Sequence, residues 1–162
     1  MSVQWSLQGV LVYAAMAGYL AGFVLSWWRT RAGWAGYAAG FALSLAAVGW
    51  RWTDAGHVPL QMMYEVFLSL SAFMLPLTAL SRRLWGIGGE RWDMLLAAGL
   101  LIPVGFVLSP QPRQLPPALQ SPLFIPHVAA YLVAYVLMGK AALQSVRQLA
   151  RGRGEQAEAI EA

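Results

Sequence analysis

Cysteine is absent from this 162-residue chain, which excludes disulfides, thiolate-held metals and prosthetic groups linked through thioethers to the chain itself. Charge is almost as scarce. Only 11% of residues are Asp, Glu, Lys or Arg, against about 25% in an ordinary globular chain. Histidine occurs twice, at His57 and His127. No phosphate-cradling glycine loop, nucleophile elbow or zinc-protease helix can be found, and no serine lies near a base in sequence. The basic balance, +4 with a pI near 9.9, does not point to nucleic acid, because the Lys and Arg residues lie in short segments and form no stripe on a polar face. A cleavable signal peptide is not expected either: no basic region precedes the first apolar run, which is itself long enough to span a bilayer.

What is abundant is apolar sequence, 59% of the chain, gathered into runs. Five stand out: 7–27, 33–50, 58–80, 94–109 and 123–143, the fourth the shortest. Each approaches the length needed for a hydrocarbon core of about 30 Å, and backbone in lipid must satisfy its own hydrogen bonds. The expectation is an all-α integral membrane protein, a bundle of about five transmembrane helices over residues 1–145, followed by a mobile tail at 146–162. Arg29, Arg31, Arg82, Arg83, Arg91, Lys140, Arg147, Arg151 and Arg153 fall on one side of the alternating runs, and only Arg51 and Arg113 on the other. Such asymmetry predicts an external N-terminus and a cytoplasmic C-terminus.

Tryptophan agrees with these limits, since Trp5, Trp27, Trp28, Trp34, Trp50, Trp52, Trp85 and Trp92 lie at or near run ends, as an interfacial belt requires. Ala14, Gly18 and Gly22, and then Gly36 and Gly40, recur every four residues, the small-residue faces by which helices approach closely in lipid. Pro76 and Pro103 fall inside the third and fourth runs and predict kinks there.

Three residues carry chemical potential: His57, Glu65 and His127. Pro59 is expected in the first turn of the third span, with Gln61, Tyr64, Glu65 and Ser69 as a polar stripe beneath His57 and Glu65 roughly 9 Å below the helix start. A carboxylate at that depth either fastens helices or shapes a ligand pocket, and both readings stay open. Pro126 suits the first turn of the last helix, starting it at His127, with Tyr131 and Tyr135 following on one face. Two external histidines are suited to a metal or haem iron, since neutral imidazole is a common ligand for both.

Two stretches are familiar. Gly56-His57-Val58-Pro59-Leu60-Gln61-Met62-Met63-Tyr64-Glu65 resembles the Gly-His-x-Pro-Leu-x-x-x-Tyr-Glu segment of the CcsA/ResC family, integral membrane proteins of system II cytochrome c biogenesis. Leu119-Gln120-Ser121-Pro122 followed by His127-Val128 resembles that family's Leu-Gln-Ser-x(5)-His-Val segment. The resemblance covers about residues 50–140, the N-terminal half of such a protein.

It implies a bacterial inner-membrane protein that helps to bind haem at the outer face and present it to apocytochrome c. His127 would be an axial ligand of a non-covalent haem b, with His57, Tyr64, Glu65, Tyr131 and Arg113 around the site. Arg51 and Arg113, the two external basic residues, could pair with the propionates, although the preferred reading of both is as ordinary solvated loop residues. The family's second ligand histidine and its Trp-rich haem loop have no counterpart here, and Trp92-Asp93 lacks the surrounding pattern. A second membrane subunit would supply them, with a ResB/CcsB-like protein as a further partner, in what is at most part of a haem lyase. Two alternatives from other classes are a self-contained bis-histidine, cytochrome b-like electron-transfer subunit using His57 and His127, and a cofactor-free structural membrane subunit.

Overall fold

The computed structural model describes residues 6–86, 88–111 and 123–161, with side chains as far as 150. The described residues form five helices in series: α1 Leu7–Leu25, α2 Thr30–Ala55, α3 Met63–Trp85, α4 Glu90–Phe106 and α5 Phe124–Glu161. Four of them, α1, α2, α3 and α5 as far as Ala150, are long and apolar enough to cross a membrane; α4, at 17 residues, is not among them. The helices alternate in direction. One end of the bundle therefore carries the C-termini of α2 and α4 and the N-termini of α1, α3 and α5, and the other carries the reverse.

The glycine faces do what small residues in lipid are expected to do. α1 and α2 pack against each other so closely that a Cβ placed on Gly36 would stand 2.5 Å from Gly22 Cα, and one on Gly18 3.0 Å from Gly40 Cα. Tyr19 and Tyr37 fill the space beside this contact, their rings edge-on at 5.8 Å, and Tyr19 Oη bonds Ser44 and Ser71 O. α4 closes the group through Tyr13 Oη, which donates to Gly105 O at 2.6 Å. α5 is attached differently. It packs on α3 and only lightly on α4, burying Leu132, Val136 and Lys140 along one stripe.

Several expected boundaries move, each for a local reason. α2 is longer at both ends than the 33–50 run and carries Arg51 within it; Gly56, left-handed at φ 70°, ends it. α3 starts at Met63 and not at Val58, because residues 57–62 are held as a turn in which Leu60 N donates to Val58 O. Pro59 is thus ahead of the helix, and Glu65 lies in its first turn, not six residues deep. Gln61 also precedes the helix, so the expected stripe keeps only Tyr64, Glu65 and Ser69. α4 begins four residues before Met94, since Glu90 and Asp93 suit a helix N-terminus electrostatically. α5 begins at Phe124, which places Pro126 and His127 in its first turns, and it continues through Glu161 where a mobile tail was expected. Pro76 and Pro103 lie inside α3 and α4 as read from the sequence.

Candidate functional site

The 56–65 stretch is a connector locked by one ion pair. From inside α2, Arg51 donates through Nε to Glu65 Oε1 at 2.9 Å, with 2% and 0% of the two side chains exposed. The other carboxylate oxygen accepts the backbone N–H of Gln61 at 2.9 Å and of Met62 at 3.2 Å, which is how an acidic residue at the third helical position stabilises the start of a helix. The Arg51 guanidinium also reaches Asp54 at 3.5 Å and Met62 Sδ at 3.7 Å, and lies 5.7 Å from the centre of the buried Tyr64 ring. Ser69 Oγ donates to Pro59 O at 3.2 Å and anchors the turn to α3. Both oxygens of Glu65 and most of the Arg51 fork are thus taken up within the chain. Arg51 is not a solvated loop residue, and its guanidinium is not presented to a propionate.

His57 projects from this clamp, half-buried. Its Nδ1 is 3.1 Å from Val58 O. In the tautomer whose Nδ1–H donates to that carbonyl, Nε2 keeps its lone pair, the form that binds a metal. Among the described residues the buried side-chain oxygens of Gln61 and of Gln8, whose Nε2 donates to Ala47 O, have no hydrogen-bond partner.

At the same end of the bundle α5 presents His127. The imidazole is exposed and stands edge-on to Tyr131, ring centres 4.7 Å apart at 78°, and Tyr131 stacks on Tyr135 at 6.0 Å and 29°. Among the described residues no hydrogen bond occupies either ring nitrogen of His127. The three rings form the ladder expected from their spacing of four, but the ladder faces out of the bundle: Tyr131 is 49% and Tyr135 54% exposed. They lie next to the stripe of Leu132, Val136 and Lys140 that packs on α3, one residue or about 100° around the helix. Arg113 and the Leu119–Pro122 segment lie outside the described residues. No group of three or more metal-ligating side chains gathers among the described residues.

The opposite end holds a polar centre that the sequence reading missed. Lys140 of α5 donates to Asp93 of α4 at 2.6 Å and to Thr78 Oγ1 of α3 at 3.1 Å. Thr78 Oγ1 lies 2.8 Å from Asp93 Oδ2, and Tyr37 of α2 bonds Thr78 at 3.1 Å. All four side chains are buried. Lys140 had been grouped with the solvent-side basic residues; its place inside an apolar run, Leu-Met-Gly-Lys-Ala-Ala-Leu, was the available signal.

Two curated proteins match the chain, each named cytochrome c biogenesis protein CcsA, one from Synechococcus elongatus and one from another Synechococcus strain. Each is 31% identical over 116 residues, amounting to 68% of this chain and 35% of the relative. The chain therefore spans about a third of the length of the curated relatives it matches. No family model matches, and neither does a solved structure.

Proposed function

The chain belongs to the CcsA-type cytochrome c biogenesis proteins, and from that premise we propose that it offers one axial imidazole, His127, to a haem held at the membrane surface and passed to apocytochrome c. The observation that carries this reading is the ladder of His127, Tyr131 and Tyr135, an imidazole with neither nitrogen hydrogen-bonded among the described residues, above two aromatic rings on a face that the rest of the described bundle leaves open. The residues suit haem as cargo on one side only. His127 would ligate the iron and Tyr131 and Tyr135 would lie against the apolar macrocycle, while Arg51, engaged with Glu65, is not available to the propionates. When bound, the haem supplies the ring and iron that cytochrome c receives. This chain's own task is to hold the ring in place and keep one face of it dry, so it needs no nucleophile.

The same reading places the His127 end outside the cell, supported by Arg29, Arg31, Arg82, Arg83, Arg91, Arg147, Arg151 and Arg153 falling on the other side of the apolar runs. It places the chain in the inner membrane of a bacterium. A second membrane polypeptide, working with a ResB/CcsB-like protein, covers the open flank of α5 and brings the other ligand and the Trp-rich loop. The Glu65 clamp shapes the site indirectly, by fixing the 56–62 connector and with it His57.

A visible absorption spectrum and haem stain of the purified protein, alone and coexpressed with that second polypeptide, tests the proposal. Haem present only in the coexpressed complex, and lost in His127→Ala, is the expected result. Haem held by the chain alone and lost in either histidine variant supports the bis-histidine reading, in which His57 would ligate through Nε2. Haem in neither preparation overturns the cofactor role and leaves a structural subunit.

A further inference from the structure

The far end of the bundle contains a cleft of about 740 Å³, between the end of α1, the start of α2, the start of α4 and the outer part of α5. That size lies in the range of roughly 300–1,000 Å³ usual for small-molecule sites. Its walls are aromatic and aliphatic, among them Trp34, Met94, Leu143 and Val146. Two arginines stand at its sides on indole rings, Arg91 with its guanidinium carbon 5.4 Å from the Trp27 ring centre and Arg147 5.3 Å from that of Trp92. Among the described residues neither is paired with a carboxylate. The acidic residue that also lines the cleft, Glu90, is neutralised from outside by Arg82 at 2.8 Å.

The cleft is thus positively charged, greasy, and at the level of the tryptophan belt. We infer that it holds the phosphate of an anionic phospholipid between Arg91 and Arg147, with an acyl chain along the Leu143 and Val146 wall. A guanidinium lying on an aromatic ring keeps its N–H edge free, and that edge matches two phosphate oxygens. A soluble phosphate would use the same two arginines but would gain nothing from the apolar walls. Basic pockets between membrane helices, near the headgroup level, take phosphate headgroups for this reason. Gly89 helps to shape the mouth. At φ 117° it leaves no room for a Cβ beside Gln144, which donates to Gly88 O and brings α5 against the start of α4.

The experiment is retention of phosphatidylglycerol, against phosphatidylcholine, by the full chain taken from mixed vesicles into detergent, read by mass spectrometry. Wild type should keep phosphatidylglycerol selectively, and excess inorganic phosphate, which offers the same oxygens to paired arginines, should not displace it. R91Q/R147Q should lose it by about thirtyfold, as expected for two headgroup-facing arginines, whereas R83Q, exposed at the same end but outside the cleft, should lose less than twofold. R91K/R147K, which keeps charge without the fork, separates loss of the site from loss of the fold: it should stay monodisperse and retain an intermediate amount. Equal retention of phosphatidylcholine, equal loss in R83Q, or displacement by inorganic phosphate would each overturn the inference, the last by assigning the arginines to a soluble anion.

Discussion

Two residues at the same end of the bundle illustrate opposite relations between burial and use. Glu65 is fully buried and every oxygen is matched, so its removal strands the Arg51 charge. Glu65→Ala should destabilise the protein by about 3–5 kcal/mol, the usual cost of breaking one side of a buried pair. Arg51→Met combined with Glu65→Leu should recover most of that loss, because it removes both charges together. Chemical unfolding in detergent measures both, and a double variant as unstable as the single one would mean that the caps on Gln61 and Met62 outweigh the ion pair. His127 is the reverse. Exposed, and edge-on to Tyr131, it contributes little to the fold, so His127→Ala should change stability by no more than about 0.5 kcal/mol. A variant that keeps its stability and loses haem in the coexpressed complex separates ligation from packing, whereas a large loss of stability would mark His127 as a packing residue.

Helices were legible wherever periodicity and composition act locally. The five runs, their order, the tryptophan ends and the glycine faces all follow from residues close in sequence. Boundaries failed at Glu90, where charge beside an apolar run reads as loop until the helix start is seen, and at Val58, where the apolar run begins ahead of the turn that precedes Met63. Partnerships failed altogether. Arg51 and Glu65 are 14 residues apart, Asp93 and Lys140 are 47 apart, and nothing along the chain pairs them. The glycine faces give the element scale its own test. Gly36→Ala should push α1 from α2 and cost about 1–3 kcal/mol by overpacking, since its Cβ would meet Gly22 backbone at 2.5 Å. Gly49→Ala, in the same helix with nothing within 4 Å of the new Cβ, should be neutral or stabilising by up to about 1 kcal/mol. Melting temperatures of the two variants that move together would mean that α2 helicity, not the α1–α2 contact, sets the difference.

At the scale of the whole molecule the bundle is unevenly bound, and the uneven part is the helix that carries His127. α1 and α2 share the glycine contact and with α3 and α4 supply most of the buried core, whereas α5 adds only Leu132 and Val136 to it, is held besides by the Lys140 centre, and leaves Tyr131, Tyr135 and Met138 open. Lys140 is a buried charge on α5, and it reaches α3 and α4 at once. Lys140→Met would leave Asp93 with Thr78 alone, a carboxylate buried without its cation, and such a site loosens before the rest. Hydrogen exchange in detergent should therefore show faster exchange along α5 and little change along α1 and α2. Asp93→Leu together with Lys140→Met should restore the protection of α5, since an apolar pair of similar volume needs no counter-ion. Equal loss of protection in α1 and α2 would show the five helices opening as one cooperative unit. Selective loosening has a functional consequence: a helix held at the far end by one ion pair and open along its flank can adjust its imidazole to a second polypeptide without disturbing the α1–α2 scaffold. On that arrangement Lys140→Met should also weaken haem retention in the coexpressed complex while leaving His127 and its ring neighbours intact, and full retention would place the rigidity of the site in the partner.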